Sequence, residues 1–217
     1  RTLASEVAGR AGQRVRVQGW VHNVHHLGGM AFVHVRDRSG IVQAVLQRTT
    51  LPEGGLPLES VVIVEGVCHP DARAIGGAEV HAESLEILSL ADAPLPIEIG
   101  RQRPQVPNLE ILLNHRPLSL RDPRRQAVFR IQAVIVEAFG AALRARGFTE
   151  VKSSKLVASG TEGGTNLFYV DYFGNQAFLA QSPQFYKQML VGVFERDFEV
   201  GPVFRAEPHN TSRHLNE

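Results

Sequence analysis

Apolar and polar residues alternate with a two-residue period in short runs over the first ~90 residues, a pattern typical of half-buried β-strands. The runs, some of them rich in β-branched residues, cover residues 14–21, 31–37, 41–47, 61–67 and 79–90. Turn-forming pairs such as Gly28-Gly29 and Gly76-Gly77 separate them. Five such strands predict an all-β domain. A five-stranded oligonucleotide-binding (OB) barrel is the leading candidate, and a small antiparallel sandwich would show the same periodicity.

A proline-rich stretch follows these strands. Prolines at positions 94, 96, 104 and 107 block long regular elements and predict a stiff linker. We therefore expect a barrel domain over residues 1–92, a hinge over 93–122 and a second domain over 123–217.

The period becomes helical in the second domain. Apolar residues recur at Val128, Ile131, Ile135, Phe139 and Leu143, which predicts an amphipathic helix that begins near Pro123 and ends before Gly147. Strand-like runs follow at 148–151, 167–172, 177–179 and 198–204. The second domain is therefore predicted to mix helices with strands.

Composition narrows the possible partners only slightly. The 217 residues carry a formal net charge of +1, so a nucleic-acid partner would have to be bound by local patches. The single cysteine, Cys68, excludes an internal disulfide and a cysteine-based zinc cluster, and its apolar neighbours predict a buried thiol. Uninterrupted apolar runs fall short of the roughly 18 residues of a membrane span, and no signal-peptide pattern is present. We expect a cytoplasmic protein without a membrane partner.

One predicted strand of the barrel places an aromatic beside basic side chains. Ala31, Val33 and Val35 form its apolar side, which leaves Phe32, His34 and Arg36 on the other. Gln43 of the next strand points the same way. Aromatic and amide side chains can read unpaired bases, but Phe32 could equally fill the barrel end and Gln43 could be merely solvated. Metal binding by His22, His25 and His26 is disfavoured because no carboxylate or thiol completes a ligand set.

The segment 201–217 concentrates polar chemistry after an apolar run. If residues 198–204 form a strand, Arg205 and Glu207 leave it on one face. Arg213 and His214 return beyond the loop. A guanidinium suits bidentate phosphate contact and a carboxylate can accept from an exocyclic amine, so the pattern favours a nucleotide site. A hairpin with weak surface ion pairs is the alternative.

Two further segments could hold a small substrate. The glycine-rich run 159–166 contains Glu162, a carboxylate suited to an α-ammonium group. Ser182-Pro183 is a natural helix start, so Gln184 and Lys187 would share one helical face and could seat a carboxylate. From the residues alone, a simple turn and a solvated lysine are the alternative, and for Lys187 the alternative is favoured.

The polar segments resemble a known family. GPVFRAEPHNTSRHLNE at 201–217 resembles motif 2 of class II aminoacyl-tRNA synthetases, in the aspartate and asparagine branch. The resemblance implies that Arg205 holds the α-phosphate and the amino-acid carboxylate, that Glu207 meets adenine, and that Arg213 and His214 lie near the γ-phosphate. TEGGT at 161–165 and QSPQFYKQ at 181–188 resemble the archaeal-type aspartyl enzymes. They imply amino-acid binding by Glu162, Gln184 and Lys187, with Lys187 on the side-chain carboxylate.

The barrel sequence GWVHNVHHLGG at 19–29 resembles the anticodon-binding domain of aspartyl-tRNA synthetases. That resemblance implies that Phe32 stacks on the anticodon and that Gln43 reads its central uracil. Many bacterial members carry an arginine ahead of the Leu-Gly pair, where this chain has His25. Since an imidazole offers no fork to a base edge, we expect the loop with His22 and His25 to tolerate either pyrimidine at the last anticodon position.

The resemblance as a whole implies an OB-fold barrel followed by the start of an α+β catalytic domain with an antiparallel sheet and helices. The implied activity is ATP-dependent aspartate–tRNA ligation by a homodimer that charges tRNA-Asp and tRNA-Asn. The third class II motif is not found and Mg²⁺ ligands are expected beyond residue 217, which indicates the N-terminal half of a longer enzyme. Ser154 stands where motif 1 has a proline. An asparaginyl enzyme, an asparagine-synthetase relative and a non-catalytic RNA-binding module are the alternatives.

Overall fold

The computed structural model describes residues 1–92, 94–97, 99, 107–161 and 166–206. The chain divides into two units, Arg1–Gln126 and Ala127–Glu217, and each is described by itself. The proposed domain limits at residues 92 and 122 stay a prediction.

The first unit is built on a closed five-stranded barrel. Its strands are β1 (Arg14–Leu27), β2 (Met30–Arg36), β3 (Ile41–Gln47), β4 (Val61–Pro70) and β5 (Ala78–Ser89). They follow the order β1-β2-β3-β5-β4 around the barrel, with a parallel pairing of β3 and β5 and antiparallel pairings elsewhere. The predicted barrel is confirmed, and the sandwich alternative is excluded.

The barrel core comes from the alternate residues that the sequence pattern assigned to it. Val33 and Val35 of β2 are fully buried, and their β3 partners Ala44 and Val42 are 1% and 2% exposed. A 3₁₀ helix over Ala4–Arg10 adds Val7 to this core. Cys68 is completely buried as predicted, and its thiol donates to the Val7 carbonyl at 3.1 Å. Burial raises the pKa of the Cys68 thiol.

Two local features shape the barrel. Gly66 lies at a register shift between β4 and β5, and a Cβ at this position would stand 2.0 Å from the carbonyl oxygen of His81. Only glycine allows that approach. A second register shift falls at His22, between Val21 and Asn23 of β1.

The position of the predicted histidine loop is wrong. Strand β1 continues to Leu27, and its pairing with β2 includes His25 opposite Phe32 and His26 opposite Ala31. The turn is limited to Gly28-Gly29, where Gly28 adopts a φ of 60°. The irregular polar sequence hid the strand because the bulge at His22 breaks the two-residue alternation.

Two short helices, α1 (Leu109–Asn114) and α2 (Arg116–Ser119), precede the long helix of the chain. Periodicity did not predict them because each is shorter than two turns. The Asn108 side chain caps α1 by accepting from the backbone N–H of Ile111 at 2.9 Å. Much of the predicted proline-rich linker, including residues 100–106, lies outside the described residues.

The predicted amphipathic helix is confirmed as α3 (Pro123–Arg144). Asp122 begins it by accepting from the backbone N–H of Arg124 at 3.0 Å. Its apolar residues are exposed in this chain, with 59% of Ile131 and 50% of Phe139 accessible. By length and composition α3 could cross a membrane, since an 18-residue window has a mean hydropathy of 1.4. Uninterrupted runs missed this because Arg130 and Glu137 break the sequence. The core helix of a globular protein passes the same test.

The second unit contains two small sheets and a helix. Strands β6 (Thr149–Glu150), β7 (Leu156–Val157), β8 (Tyr169–Tyr172) and β9 (Asn175–Leu179) precede α4 (Gln184–Phe194) and β10 (Asp197–Phe198). The antiparallel sheet has the order β7-β9-β8, whereas β6 and β10 pair in parallel. The predicted mixture of helices with an antiparallel sheet is confirmed.

The predicted strand over residues 198–204 is wrong for most of its length. The strand β10 ends at Phe198, and the described residues 199–206 have no strand assignment. Pro202 has no N–H to offer to a ladder. The Glu199 side chain instead accepts from Lys155 Nζ at 2.6 Å and from the Ser153 hydroxyl at 2.7 Å. Strand geometry therefore cannot place Arg205 and Glu207 on one face.

Candidate functional site

A continuous row of polar side chains crosses all five barrel strands on the surface opposite the core. We call it the polar row; it comprises Asn23 and His25 of β1, His34 of β2, Gln43 of β3, Glu79 and His81 of β5, and His69 of β4. Its hydrogen bonds measure 3.0 Å from Asn23 to His25, 3.1 Å from His34 to Gln43, 2.8 Å from Gln43 to Glu79 and 2.8 Å from Glu79 to His81. Ring contacts complete it at both ends, between His25 and His34 and between His69 and His81.

Gln43 is held in one orientation at the centre of the polar row. Its Nε2 donates to Glu79 Oε2 at 2.8 Å, so its Oε1 faces His34. His34 must then carry its proton on Nε2 in order to donate to that oxygen. Burial lowers the pKa of His34, which favours this neutral ring at pH 7. An oriented amide retains one further donor and acceptor capacity for a ligand.

Phe32 lies beside this amide. It is half-buried, outside the packed barrel core, and two residues from His34 on the same face of β2. Its cross-strand partners are His25 and Val45. A half-exposed aromatic ring next to an oriented amide is the arrangement that stacks an unpaired base and reads its edge.

The two predicted anticodon histidines have different environments. His25 is exposed and its ring meets the edge of His34 at a centroid distance of 5.4 Å. His22 turns toward the barrel wall, where its Nδ1 lies 2.9 Å from Arg36 Nη1. Burial and then the Arg36 charge lower the pKa of His22. In the part of the chain that the structure describes, no cluster of His, Cys, Asp or Glu has metal-binding geometry.

Arg36 does not belong to the exposed surface, contrary to the sequence interpretation. Its side chain is only 6% accessible and pairs with Glu59, whose carboxylate is 1% accessible, at 2.7 Å. This contact was invisible in the sequence because Glu59 lies in an irregular loop and shows no periodicity with β2.

The predicted helix start after Ser182-Pro183 is confirmed, since α4 begins at Gln184. Gln184 and Lys187 are therefore one turn apart on the same face of α4. Gln184 is exposed, and Lys187 is half-buried.

Three segments of the second unit meet near the start of α4. The hydroxyl groups of Thr161 and Ser182 lie 3.4 Å apart. The backbone N–H of Phe204 donates to the carbonyl of Ala180 at 3.0 Å, which brings the exposed Arg205 alongside the segment that leads into α4. The predicted site residues Glu162, Glu207, Arg213 and His214 lie outside the described residues. The structure thus brings together the segments that carry Lys187 and Arg205.

Comparisons with known proteins agree with this geometry. Residues 108–217 match the family described as tRNA synthetases class II (D, K and N), and residues 15–88 match the OB-fold nucleic acid binding domain. The chain belongs to the class II tRNA synthetases.

Named relatives of this synthetase chain are aspartate–tRNA(Asp/Asn) ligases. That of Archaeoglobus fulgidus is 47% identical over 95% of this chain and 49% of the relative, and that of Deinococcus radiodurans is 47% identical over 100% of this chain and 49% of the relative. Among solved structures, asparaginyl-tRNA synthetase from Pyrococcus horikoshii complexed with asparaginyl-adenylate matches with a TM-score of 0.88 and 35% identity, over 100% of this chain and 50% of that one. The chain therefore spans about half the length of the relatives that it matches.

The sequence interpretation of this synthetase missed part of the polar row. Glu79 and His81 alternate with the buried Val80, so they share an outer face of β5. That alternation was visible, but the parallel pairing of β3 with β5, which brings Glu79 to Gln43, was not. Only an assumed OB topology could have supplied it.

Proposed function

We propose that this chain is part of an aspartate–tRNA ligase that activates aspartate with ATP and transfers it to the 3′ end of tRNA-Asp and tRNA-Asn. The observation that carries the proposal is the convergence at the start of α4, where the segments of Lys187 and Arg205 meet the residue that precedes Glu162. The names of the relatives, which include both tRNAs, support the same activity.

Lys187 would provide specificity for the amino acid. Its ammonium group on α4 can pair with the side-chain carboxylate of aspartate, beside the amide of Gln184. Glu162 would accept from the substrate α-ammonium group. A lysine at this position opposes asparagine, which has no charge to neutralise it.

Arg205 would stabilise the transition state of activation. The α-carboxylate of aspartate attacks the α-phosphorus of ATP, and the bond from this phosphorus to the pyrophosphate oxygen breaks. Negative charge builds on the α-phosphate oxygens. A guanidinium can bind that phosphate in a bidentate manner while it holds the attacking carboxylate. Glu207 would contact adenine, and Arg213 and His214 the distal phosphates. No covalent enzyme intermediate is required, so the protein acts by positioning and charge stabilisation. Mg²⁺ would be bound by residues other than those described.

The barrel would read the anticodon. Phe32 would stack on a base and the oriented amide of Gln43 would read the central uracil, which tRNA-Asp and tRNA-Asn share. His25, exposed at the end of the polar row, would meet the last anticodon base with a single hydrogen bond and tolerate either pyrimidine. His22 would contribute from the bulge in β1.

A homodimer would cover the exposed apolar face of α3. Ile131, Ile135 and Phe139 are each at least half exposed in the single chain, and a second copy would bury them at low cost. We place the enzyme in the cytoplasm, where its substrates are found.

Pyrophosphate exchange on the complete protein tests the activity. Aspartate should drive exchange of pyrophosphate into ATP, and asparagine should not. Exchange driven by asparagine would favour the asparaginyl alternative, which the similarity to the Pyrococcus enzyme keeps as second candidate. No exchange with either amino acid would leave only an RNA-binding module.

A further inference from the structure

A buried carboxylate joins the barrel to the segment that begins α3. Glu59 is 1% accessible, and it adopts a φ of 67°, a conformation that is strained for a residue with a side chain. Arg36 Nη2 lies 2.8 Å and 2.7 Å from its two oxygens. Arg121 Nη1 adds a third contact to Oε2 at 2.6 Å. Two guanidinium groups therefore hold one acid.

The two arginines also share an aromatic ring. The guanidinium carbon of Arg121 lies 4.9 Å from the Trp20 ring centroid, and that of Arg36 lies 6.0 Å away. Arginine can stack its planar guanidinium on an aromatic face and donate to a carboxylate at the same time. Lysine has no planar group with which to do both. Glu59 and Trp20 thus form a binding site for the guanidinium group of Arg121.

Arg121 lies directly before the start of α3. Arg121 immediately precedes Asp122, which caps the first turn of α3, and its own carbonyl accepts from the Gln126 side chain at 3.4 Å. At the other end of the cluster, Arg36 contacts His22 in the β1 bulge at 2.9 Å. A chain of hydrogen bonds therefore runs from the bulge in β1 to the start of α3.

Arg36 and Arg121 do not contribute equally to the contacts of Glu59. Arg36 already contacts both oxygens of Glu59, and it is buried, while 28% of the Arg121 side chain is accessible. Without Arg121 the carboxylate keeps both contacts to Arg36 Nη2. The third contact is therefore best explained by what it holds, which is the chain that enters α3.

We propose that Arg121 is a positioning residue that fixes the first turn of α3 to the anticodon-binding barrel, so that anticodon recognition contributes to aminoacylation. This inference rests on the proposed function. Without the Arg121 contact, the barrel would still bind the anticodon, but the orientation of the bound tRNA would vary. Less of the anticodon-binding energy would then contribute to the transfer step.

The test uses the complete protein with Arg121→Met, and Arg124→Met as a matched control that removes an exposed arginine three residues away. Aminoacylation is measured with a tRNA-Asp transcript and with the same transcript carrying C in place of the central anticodon U. The kcat/KM for the natural transcript divided by that for the C-substituted transcript measures how strongly anticodon recognition contributes to aminoacylation. Arg121→Met should lower this ratio by about tenfold or more, and Arg124→Met should leave it unchanged.

Two further measurements separate positioning from general damage. Aspartate-dependent pyrophosphate exchange without tRNA and binding of an anticodon stem–loop should both stay within about twofold of the parent for Arg121→Met. Arg121→Lys, which keeps the charge and loses the planar fork, should give an intermediate ratio and also serves if the methionine variant does not fold.

An unchanged ratio in a folded Arg121 variant would overturn the proposal. So would a fall in pyrophosphate exchange as large as the fall in aminoacylation, because Arg121 would then act on the activation site. A parent protein that lacks aspartate-dependent exchange would overturn the proposed function itself, which distinguishes the two failures.

Discussion

His34 fixes the side-chain amide of Gln43 by a hydrogen bond of 3.1 Å across β2 and β3. The histidine can do this as a neutral ring because burial lowers its pKa. Gln43 is thereby presented in one orientation, with Glu79 holding its opposite end. The centre of the polar row is therefore preorganised, and its histidines link it to pH.

Stability should fall as the pH is lowered from 7 to 5. His22 and His34 have folded-state pKa values below the ordinary 6.5, so the unfolded chain binds more protons in this window. The stability that these two neutral histidines contribute is fully present above pH 6.5. It declines as the pH falls toward their folded-state pKa values. Thermal unfolding at several pH values measures the slope.

A His22→Gln, His34→Gln double variant is the control for that slope. It should depend less on pH between 7 and 5, since the shifted groups are gone. Glu199 does not interfere, because burial opposes its ionisation but hydrogen bonds from Lys155 and Ser153 outweigh burial and keep its pKa below 4.5. Equal slopes in parent and variant would contradict the assignment.

Removal of Arg36 should destabilise the barrel severely. Arg36→Met leaves the Glu59 carboxylate buried with one partner fewer, a loss of about 3–5 kcal/mol in the free energy of unfolding. Arg73→Met is the matched control, because Arg73 pairs with Asp71 at the surface with 91% of its side chain accessible, and such exposed pairs contribute little to stability. Denaturant titration compares the two. Similar losses would show that the buried pair has no special weight.

Alternation along the chain predicted much of the barrel, because burial on one strand face is a local property. All five strands and the buried apolar residues of β2 and β3 followed from it. It could not predict the cluster of Arg36, Glu59 and Arg121, whose contacts to Glu59 join residues 23 and 62 positions apart. Nor could it predict that the strand ends at Phe198, next to Glu199, whose side chain bonds to Lys155 and Ser153. Long-range pairing decides such contacts.

Asp197 carries a buried carboxylate in the second unit. In the described part of the chain, neither buried carboxylate oxygen has a hydrogen-bond partner. Its neighbour Phe198 points to the opposite side of β10 and packs against Phe139. Asp197→Val should raise stability by about 1–3 kcal/mol, because it removes an unsatisfied buried polar group and suits a strand.

Asp197→Asn is the companion variant. It keeps the volume and a polar group, so its gain in unfolding temperature should be smaller than that of valine. A lower unfolding temperature for Asp197→Val than for the parent would reveal a polar partner for this carboxylate.

Lys187 should decide whether aspartate is activated. Lys187→Ala leaves the side-chain carboxylate of aspartate without its cation. The kcat/KM for aspartate should fall by an amount that corresponds to about 2–5 kcal/mol of transition-state stabilisation. The KM for ATP should stay nearly constant. Lys152→Ala, at a site with 65% side-chain exposure, should have no effect on aspartate activation. Equal pyrophosphate exchange by Lys187→Ala and the parent would remove Lys187 from the site.

The central claim is an aspartate–tRNA ligase that accepts both tRNAs, and aspartylation of purified tRNA-Asp and tRNA-Asn transcripts by the complete protein tests it most directly. The salt concentration must be matched, because phosphate contacts make affinity salt-dependent. The kcat/KM values for the two transcripts should agree within about tenfold, which corresponds to 1.4 kcal/mol. A preference for tRNA-Asp above about a hundredfold, roughly 2.7 kcal/mol, would contradict the account and show an enzyme that discriminates at the last anticodon base.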